Sequence, residues 1–423
     1  MLHRFAIGDG GVSYANRFLQ SAAYRAATSE ERIAYREFAT DPCFGLFGRL
    51  KSLFLPPKLT DNGNVSVQTF DGKIVALTET TMPVSFDPET LETQGVFGFD
   101  ARLDGQVTSA HPHYDFTRRR QYSYMLKFAR RSLYRIIRLA MDTGQQESVA
   151  ELPVDRPAYM HSFGMTERYL VLTEFPLIVD PLRLRFAGRP FIDNYRWEPD
   201  RGMRFHVIDK ESGRLVRTAT ADPCFAFHHV NAFEEDDGLV IDIVTFSDAR
   251  IIQELYLDRL RAGEAPDTSG RLMRFELSLR GDGPPTVRPL AECPIELPRI
   301  NYSNVVGRSY RFVWGTSDKG GTDFSSLLAK IDVTTGETRI WEEPGCHPGE
   351  PVFVAAPSAA AEDDGVVLSV VLDARKSTSF LLALDAASLT ERARAEVPHH
   401  IPFDFHGNFL SRSGEWPPRT LHR

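Results

Sequence analysis

Residues 205–219 read FHVIDKESGRLVRTA, in which an apolar run leads into Asp209 with Ser and Gly, and a second short run follows. Asp and Gly tolerate the dihedral angles of tight turns, and the flanking residues suit a pleated, half-buried surface. The stretch therefore predicts a β-hairpin. Six further stretches of this kind are centred on Asp9, Asp87, Asp142, Asp282, Asp332 and Asp385.

The spacing of these hairpins predicts the architecture. Successive turn aspartates lie 78, 55, 67, 73, 50 and 53 residues apart. Such intervals fit one four-stranded propeller blade with insertions, whereas the turns of a β-sandwich recur every ~8–12 residues without a longer period. Seven copies predict one all-β domain over residues 1–423, a seven-bladed β-propeller. Long helices are expected to be few, with candidates at residues 29–38, after Pro42 and at 253–262.

Composition excludes several classes of protein. The chain has 423 residues, 42% of them hydrophobic, and a net charge of −8, which rules out collagen-like, low-complexity and wholly disordered chains. Four scattered cysteines form neither a disulfide framework nor a CxxC metal site. No apolar run approaches ~18 residues, and the N-terminus lacks the apolar core of a signal peptide. We therefore expect a cytoplasmic protein with no nucleic-acid partner and no obligate protein partner.

Four of the 12 histidines follow a turn aspartate at a similar distance, between 19 and 24 residues. Residues that follow the turn of each blade by a similar number of positions occupy equivalent places in successive blades. Here that place is the strand that lines the central axis. These histidines are His111, His161, His228 and His406, and Glu296 and Glu350 share roughly the same phase. Neutral imidazoles around a cation avoid mutual repulsion, and a set without thiolate suits a divalent transition metal with open positions. The alternative for any single histidine is a core or channel residue.

The motifs that contain these residues resemble the carotenoid cleavage oxygenase family, which includes apocarotenoid, carotenoid and stilbene oxygenases and the retinoid isomerohydrolase. The resemblance extends along essentially the whole chain. Its motifs are SAHPHYD (109–115), YMHSFGMTERYLVLTEFP (159–176), FAFHHVNAFEEDDGLVIDI (225–243), ELPRINYSNVVGRSYRFVWG (296–315), GEPVFVAAPSAAAEDDGVVLSVVLD (349–373) and IPFDFHGNF (401–409).

The resemblance implies a seven-bladed propeller with a helical and loop cap, and one Fe(II) per chain with O2 as co-substrate. It assigns the iron to the same four histidines, and Glu79, Glu296 and Glu350 to the rings of His161, His228 and His406 respectively. It places Thr78 near an open iron position. It nominates no side chain as nucleophile or general base. Apolar residues beside the ligands, such as Phe227 and Phe405, are candidates for the wall of a substrate tunnel, although core packing is favoured for any single one of the 29 phenylalanines.

The expected function is an Fe(II)-dependent dioxygenase that cleaves one C=C bond of an apolar polyene to carbonyl products. The polyene is a carotenoid, an apocarotenoid or a similar conjugated alkene. One alternative is non-oxidative chemistry of the retinoid isomerohydrolase type on the same iron site. A second alternative is a propeller that binds lipid without catalysis. Family members carry an additional segment upstream of the region matching residues 2–18, so we expect an N-terminal closing segment to be missing; metal binding is still expected.

Residues 43–58, CFGLFGRLKSLFLPPK, carry an apolar stripe at helical spacing between cationic residues. The stripe consists of Leu46, Phe47, Leu50, Leu53 and Phe54. It suits peripheral contact with a membrane surface, with cations at the headgroups. Residues 175–191 have a similar composition. The alternative for both stretches is packing on the propeller.

Overall fold

The structure is a computed structural model that describes residues 1–42, 58–100, 102–186, 189–262, 270–319 and 325–411. Along this part of the chain, six antiparallel sheets of four or five strands follow one another. Within each sheet the strands pair largely in chain order, which is the pattern of a propeller blade. The prediction of an all-β propeller with few helices is confirmed.

The strands begin with a separate hairpin, β1 (Leu2–Gly8) and β2 (Gly11–Arg17). Blade 1 contains β3 (Ser66–Phe70), β4 (Lys73–Leu77), β5 (Val84–Phe86) and β6 (Thr93–Val96). Blade 2 contains β7 (Val107–Thr108), β8 (His113–Asp115), β9 (Arg120–Lys127), β10 (Ser132–Ala140) and β11 (Gln146–Val154). Blade 3 begins with β12 (Gly164–Met165) and β13 (Tyr169–Glu174). A small sheet of β14 (Leu177–Ile178) and β15 (Arg196–Trp197) precedes its outer strands, β16 (Met203–Asp209) and β17 (Leu215–Ala221).

The second half of the propeller has the same plan. Blade 4 contains β18 (His229–Glu235), β19 (Gly238–Thr245), β20 (Arg271–Ser278) and β21 (Thr286–Pro289). Blade 5 contains β22 (Glu296–Arg299), β23 (Phe312–Ser317), β24 (Leu327–Asp332) and β25 (Thr338–Glu342). Blade 6 contains β26 (Cys346–Pro348), β27 (Val352–Ala355), β28 (Gly365–Asp373), β29 (Thr378–Asp385) and β30 (Glu391–Val397).

All seven predicted hairpins form, but the prediction of seven blades is wrong. Six of the hairpins join the two outer strands of a blade. The seventh, around Asp9, is β1–β2, and among the described residues its strands pair only with each other. A hairpin motif predicts only the outer half of a blade, so counting hairpins overestimates the number of blades.

The turn chemistry explains why the motif repeats. In blade 3, Asp209 Oδ1 accepts hydrogen bonds from the Ser212 N–H at 2.9 Å and the Ser212 hydroxyl at 2.8 Å. Gly213 follows at φ +67°, and a Cβ there would lie 1.9 Å from the Val149 carbonyl oxygen of blade 2. Asp385 repeats the pattern with the Ser388 N–H at 2.9 Å. The aspartate therefore closes the turn, and glycine lets the turn of blade 3 pack against its neighbour.

Hydrophobic clusters lie between successive blades. Phe205 of blade 3 and Phe275 of blade 4 have ring centroids 5.4 Å apart. Trp314 of blade 5 stacks on Phe353 of blade 6 at 4.6 Å. Burying apolar surface between blades fixes their order around the axis.

The β1–β2 hairpin and the C-terminal segment 401–411 lie between blade 6 and blade 1. On one side the hairpin contacts blade 1, where Arg4 pairs with Glu89 at 2.7 Å. On the other side the Tyr14 ring lies 5.4 Å from the ring of His399, which follows β30. Residues 401–411 then return to blade 1, where the Asn408 side chain donates to the Val67 carbonyl of β3.

The helices are short. They are α1 (Ala22–Ser29), α2 (Pro181–Phe186), α3 (Ile251–Glu254), α4 (Leu257–Arg261) and α5 (Tyr302–Val305), with 3-10 turns at Ile192–Asn194 and Pro199–Arg201. The helix predicted at 253–262 is present as parts of α3 and α4. The stretch after Pro42 falls largely on residues 43–57, outside the described part. Among the described residues, no helix is long and apolar enough to cross a membrane.

The prediction of a helix at residues 29–38 is wrong, because the helix in this region begins earlier, at Ala22, and ends at Ser29. Ser21 caps α1 by accepting the Tyr24 N–H at 3.0 Å, and the Asp61 carboxylate accepts the Ala22 N–H at 2.7 Å. Further along, the carbonyl of Phe38 accepts the Ile192 N–H at 2.9 Å. The main chain around Phe38 therefore forms hydrogen bonds with a distant segment and not the hydrogen bonds of a helix.

Candidate metal centre

The four predicted histidines meet at one point. One ring nitrogen from each of His111, His161, His228 and His406 lies within 4.8 Å of the others. The Nε2 atoms of His111 and His161 are 2.9 Å apart, and those of His228 and His406 are 3.2 Å apart. The phase argument therefore selected residues that share a layer at the axis.

Each ring comes from the start of an inner strand or from a segment beside one. His111 lies between β7 and β8, His161 precedes β12, and His228 directly precedes β18. His406 lies in the C-terminal segment, where its N–H donates to the Val65 carbonyl at 3.2 Å. Blades 2, 3 and 4 and the C-terminal segment 401–411 thus supply one imidazole each.

The main chain around the first two ligands is tied by Ser109. Its hydroxyl donates to the His161 carbonyl at 2.9 Å and accepts the His111 N–H at 3.0 Å. One small side chain therefore sets the distance between the backbones that carry these two rings.

Three carboxylates hold three of the rings. The Nδ1 atoms of His161, His228 and His406 lie 2.7, 2.6 and 2.7 Å from carboxylate oxygens of Glu79, Glu296 and Glu350 respectively. A carboxylate accepts, so each Nδ1 carries the proton and each Nε2 presents a lone pair. These contacts match the pairing that the resemblance implied.

Electrostatics favour the neutral form of His111 and His406. Burial, then the neighbouring rings, lower the pKa of His111 well below its ordinary value. Burial lowers the pKa of His406 to about 4 against the opposing effect of Glu350. Burial opposes ionisation of Glu350 itself, but Arg299, whose Nε lies 3.1 Å away, and His406 together outweigh it and lower the pKa of that carboxyl. A neutral imidazole beside an ionised carboxylate is a metal ligand in its binding form.

Tyr159 is part of this arrangement, and sequence reasoning missed it. Its hydroxyl lies 3.0 Å from both carboxylate oxygens of Glu79 and 3.3 Å from Nδ1 of His161. Burial, then Glu79, raise its pKa well above the ordinary value, so it remains a donor. The available signal was its position two residues before His161 in the YMH stretch.

Two other buried histidines have partners of their own. His113 contacts the Tyr302 hydroxyl at 2.9 Å and the Phe163 carbonyl at 2.7 Å. His229 contacts the hydroxyls of Ser162 at 2.9 Å and Thr173 at 2.8 Å. Both nitrogens of each ring are therefore engaged away from the central cluster.

A cavity of about 1410 Å³ opens beside the histidines and reaches His161, His228 and His406. Phe227 and Phe405 line it, and Thr78, which is 6% exposed, lies in its wall. Residues 36–40 and the helices α2, α3 and α4 also contribute to the lining. The volume exceeds that of an ordinary small-molecule pocket and suits a long apolar ligand.

Asp404 introduces a carboxyl group into this wall. It lies between Phe403 and Phe405, two residues before His406, and all four line the cavity. Burial, then the charge of Glu350, raise the pKa of Asp404 to about 6. The sequence analysis assigned no role to this residue.

The two stretches considered for membrane contact have different outcomes. The stripe from Leu46 to Phe54 lies outside the described residues, so that interpretation stays a prediction. In the second stretch, Phe175 and Leu177 to Val179 are buried, whereas Leu182 is 62% exposed. Most of the apolar residues of 175–182 thus pack on the propeller.

A second group of potential ligands does not resemble a metal site. Glu343, Cys346 and Asp373 lie close together in blade 6. The Arg375 guanidinium lies 2.9 Å from Glu343 and 3.1 Å from Asp373. Arg394 also pairs with Glu343, at 2.7 Å, so two cations already compensate the two carboxylates.

Comparison with known proteins identifies relatives along the whole length. A family model described as retinal pigment epithelial membrane protein matches residues 1–411. A mitochondrial carotenoid-cleaving dioxygenase of Macaca fascicularis is 34% identical over 473 residues, which cover 97% of this chain and 84% of that protein. A carotenoid isomerooxygenase of Galleria mellonella is 34% identical over 442 residues, which cover 97% and 86% respectively.

A solved structure agrees with the fold. A variant of the Synechocystis apocarotenoid oxygenase superposes with a TM-score of 0.84 at 24% identity, over 96% of this chain and 86% of that one. At this identity the likeness supports the propeller fold, and the family model and the relatives at 34% identity support the membership. The chain therefore belongs to the carotenoid oxygenase family of enzymes.

Proposed function

We propose that this protein is an Fe(II)-dependent dioxygenase that cleaves one C=C bond of a carotenoid, apocarotenoid or similar conjugated alkene to two carbonyl products. The observation that carries the proposal is the convergence of four imidazoles, three of which line a large apolar cavity. Relatives that are named as carotenoid-cleaving dioxygenase and carotenoid isomerooxygenase support the substrate class.

The donor set fits a metal ion. Two nitrogens that each lie ~2.1 Å from one ion, at right angles, are ~3.0 Å apart. The observed Nε2 separations of 2.9 and 3.2 Å agree with that spacing. With Nδ1–H directed at carboxylates, the Nε2 atoms of His228 and His406 have no proton to share, and a cation between them removes the repulsion of their lone pairs.

The four histidines would hold Fe(II) and leave coordination positions open, and the ion would supply the site of O2 activation there. The chain's own residues do the rest. Glu79, Glu296 and Glu350 orient rings and offset the charge of the ion. Phe227 and Phe405 present apolar surface to the substrate and exclude water from the reacting bond. Thr78, in the same wall, would limit access to one free position.

Metal content is the first experiment. Purified wild type, loaded with Fe(II) under anaerobic conditions, is expected to hold close to one iron per chain, and His161→Ala is expected to lose it. The matched control is His206→Ala, which changes a histidine of β16 outside the cluster. A folded wild type that takes up no iron would overturn the proposal and favour a propeller that binds lipid without catalysis.

Labelled O2 separates dioxygenase chemistry from the isomerohydrolase alternative. The iron-loaded protein is incubated with an apocarotenal and isotopically labelled O2, and the products are analysed by mass spectrometry. Aldehydes that carry the label support the dioxygenase. An isomerised or hydrolysed product without label supports the alternative. Peripheral membrane contact through residues 43–58 belongs to the same proposal and is tested by sedimentation with phospholipid vesicles.

A further inference from the structure

Asp404 places an acidic group in an otherwise apolar part of the cavity wall. The flanking side chains of Phe403 and Phe405 are 50% and 53% exposed, and both line the cavity. Asp404 itself is exposed to this space. A carboxyl group here lies among aromatic surfaces, where a polar group without a partner is unfavourable.

Within the described part of the chain, no other residue donates to the Asp404 carboxyl or pairs with it, and its one hydrogen bond is to its own main-chain N–H. Glu350 is its charged neighbour, and a like charge gives it no compensation. Its unfilled hydrogen-bonding capacity therefore faces the space that the substrate occupies.

We propose that Asp404 binds a hydroxyl group of the substrate, so that the preferred substrate is a hydroxylated conjugated alkene and not a pure hydrocarbon. The inference rests on the proposed function for the identity of the substrate's hydrocarbon part. A hydroxyl forms a short hydrogen bond with a carboxyl group and carries no charge into the apolar surroundings. A substrate carboxylate would be repelled by Asp404 and Glu350, and an ammonium group would lose its hydration against Phe403 and Phe405.

The position of Asp404 also defines which part of the substrate carries the hydroxyl. Two residues of chain span at most ~7 Å between Cα atoms, so Asp404 is held close to His406. A Cβ added to Gly349, the residue before Glu350, would lie 3.0 Å from the Oδ1 atom of Asp404. The hydroxyl is therefore bound near the metal centre, and the cleaved bond lies a few conjugated carbons from the hydroxylated end. The longer remainder of the substrate occupies the rest of the cavity.

Binding without turnover tests the assignment directly. The iron-loaded protein is titrated under anaerobic conditions with an apocarotenal and with the same compound carrying one ring hydroxyl, and tryptophan fluorescence quenching reports Kd. Wild type is expected to bind the hydroxylated probe about 10- to 100-fold more tightly, the range of one hydrogen bond to an acidic group. Asp404→Leu is expected to abolish that preference with little change in the Kd of the unhydroxylated probe. Asp404→Asn, which keeps hydrogen-bonding capacity, is expected to retain most of the preference for the hydroxylated probe.

The control is Asp258→Leu, which removes a carboxylate of α4 that also lines the cavity; it is expected to leave the preference unchanged. Iron content of every variant confirms that the centre is intact, and Asp404→Ala replaces Asp404→Leu if the latter loses iron. The assignment is overturned if wild type binds the two probes equally or binds neither. It is also overturned if the preference for the hydroxylated probe persists in both Asp404→Leu and Asp404→Ala. A preference that depends on Asp404 in a protein that cleaves neither probe upholds the assignment and overturns the proposed function.

Discussion

The Nε2 atoms of His228 and His406 lie 3.2 Å apart, although each ring directs Nδ1 at a carboxylate of its own. Neither neutral ring has a hydrogen to place between the two nitrogens. The carboxylates, Glu296 and Glu350, come from blades 5 and 6, so the lone pairs are aimed by parts of the propeller that lie far apart in sequence. The fold thus builds a cation site, and removal of a carboxylate tests it more gently than removal of a ligand.

Glu350→Gln is expected to weaken Fe(II) or Co(II) binding about 10- to 100-fold, the usual effect of losing a partner that orients a metal-ligating histidine. The amide still reaches Nδ1 of His406, but it no longer offsets the charge of the ion, and the Arg299 cation loses its partner at 3.1 Å. Anaerobic competition with a chromophoric chelator measures the change.

The matched control is Glu343→Gln, because Glu343 pairs with Arg375 and Arg394 in blade 6, away from the histidines. Its metal affinity is expected to equal that of wild type. Undiminished affinity in Glu350→Gln would mean that the carboxylate does not support the metal site.

Tyr159→Phe is expected to weaken metal binding less, by about 3- to 10-fold. The hydroxyl that is removed donates to Glu79 and makes only a longer contact, 3.3 Å, with Nδ1 of His161, so the loss reaches the metal mainly through the orientation of Glu79. The same competition assay reports the change. Tyr134→Phe, which removes a hydroxyl bonded to Glu174 at 2.8 Å, is the control and is expected to leave affinity unchanged. An equal effect of both variants would indicate general loosening of the fold.

Sequence patterns predicted those features that repeat. Asp87, Asp142, Asp209 and the other turn aspartates are local signals, and a hairpin forms around each one because a turn needs only nearby residues. The histidine spacing selects four side chains that meet in the structure for a related reason, since each of them follows the preceding turn aspartate by 19 to 24 residues. Blade number was not predictable from hairpins, because the inner strands that complete a blade carry no comparable motif.

Contacts across blades were not predictable from spacing. Glu79 meets His161 over 82 residues, and its position after β4 has no counterpart in the repeat, so only the family resemblance pointed to it. Tyr159 and Asp404 belong to common residue types whose roles depend on which cavity or carboxylate they face. Such roles arise when the ring of blades closes, and they become visible only in three dimensions.

Lys210→Met is expected to lower the free energy of unfolding by about 3 kcal/mol, because it leaves a buried carboxylate without its nearest cation. Lys210, 1% exposed, joins the turn after β16 to blade 2 through Asp115 at 2.6 Å. Arg118, 3.0 Å from Asp115, keeps the loss at the lower end of the range for buried pairs. Urea unfolding measures it. The double variant Lys210→Met/Asp115→Leu is expected to recover part of the loss, and a double variant that is additive would show that the two side chains are not coupled.

Glu174 is expected to make stability depend on pH in the acidic range. The side chain is 2% exposed and accepts from Arg201 at 3.1 Å and Tyr134 at 2.8 Å, with His206 at 3.3 Å. Burial opposes ionisation, but His206, then Arg201 and Tyr134, outweigh it and lower the pKa of Glu174 to about 2. The carboxyl therefore binds its proton more readily in the unfolded chain than in the folded protein.

A carboxyl whose folded pKa lies below its unfolded value stabilises the protein above the unfolded pKa, and that stabilisation is lost as pH falls toward the folded pKa. For Glu174 the window runs from the ordinary value of 4.5 down to about 2, and the stabilisation at neutral pH is about 3 kcal/mol. Glu174→Gln lacks this titration. The difference in unfolding free energy between wild type and variant is therefore expected to be largest near neutral pH and to shrink steadily across the window, as measured by urea unfolding of metal-free protein at several pH values. A difference that stays constant from neutral pH to the bottom of the window would show that Glu174 does not stabilise the folded state as an ion.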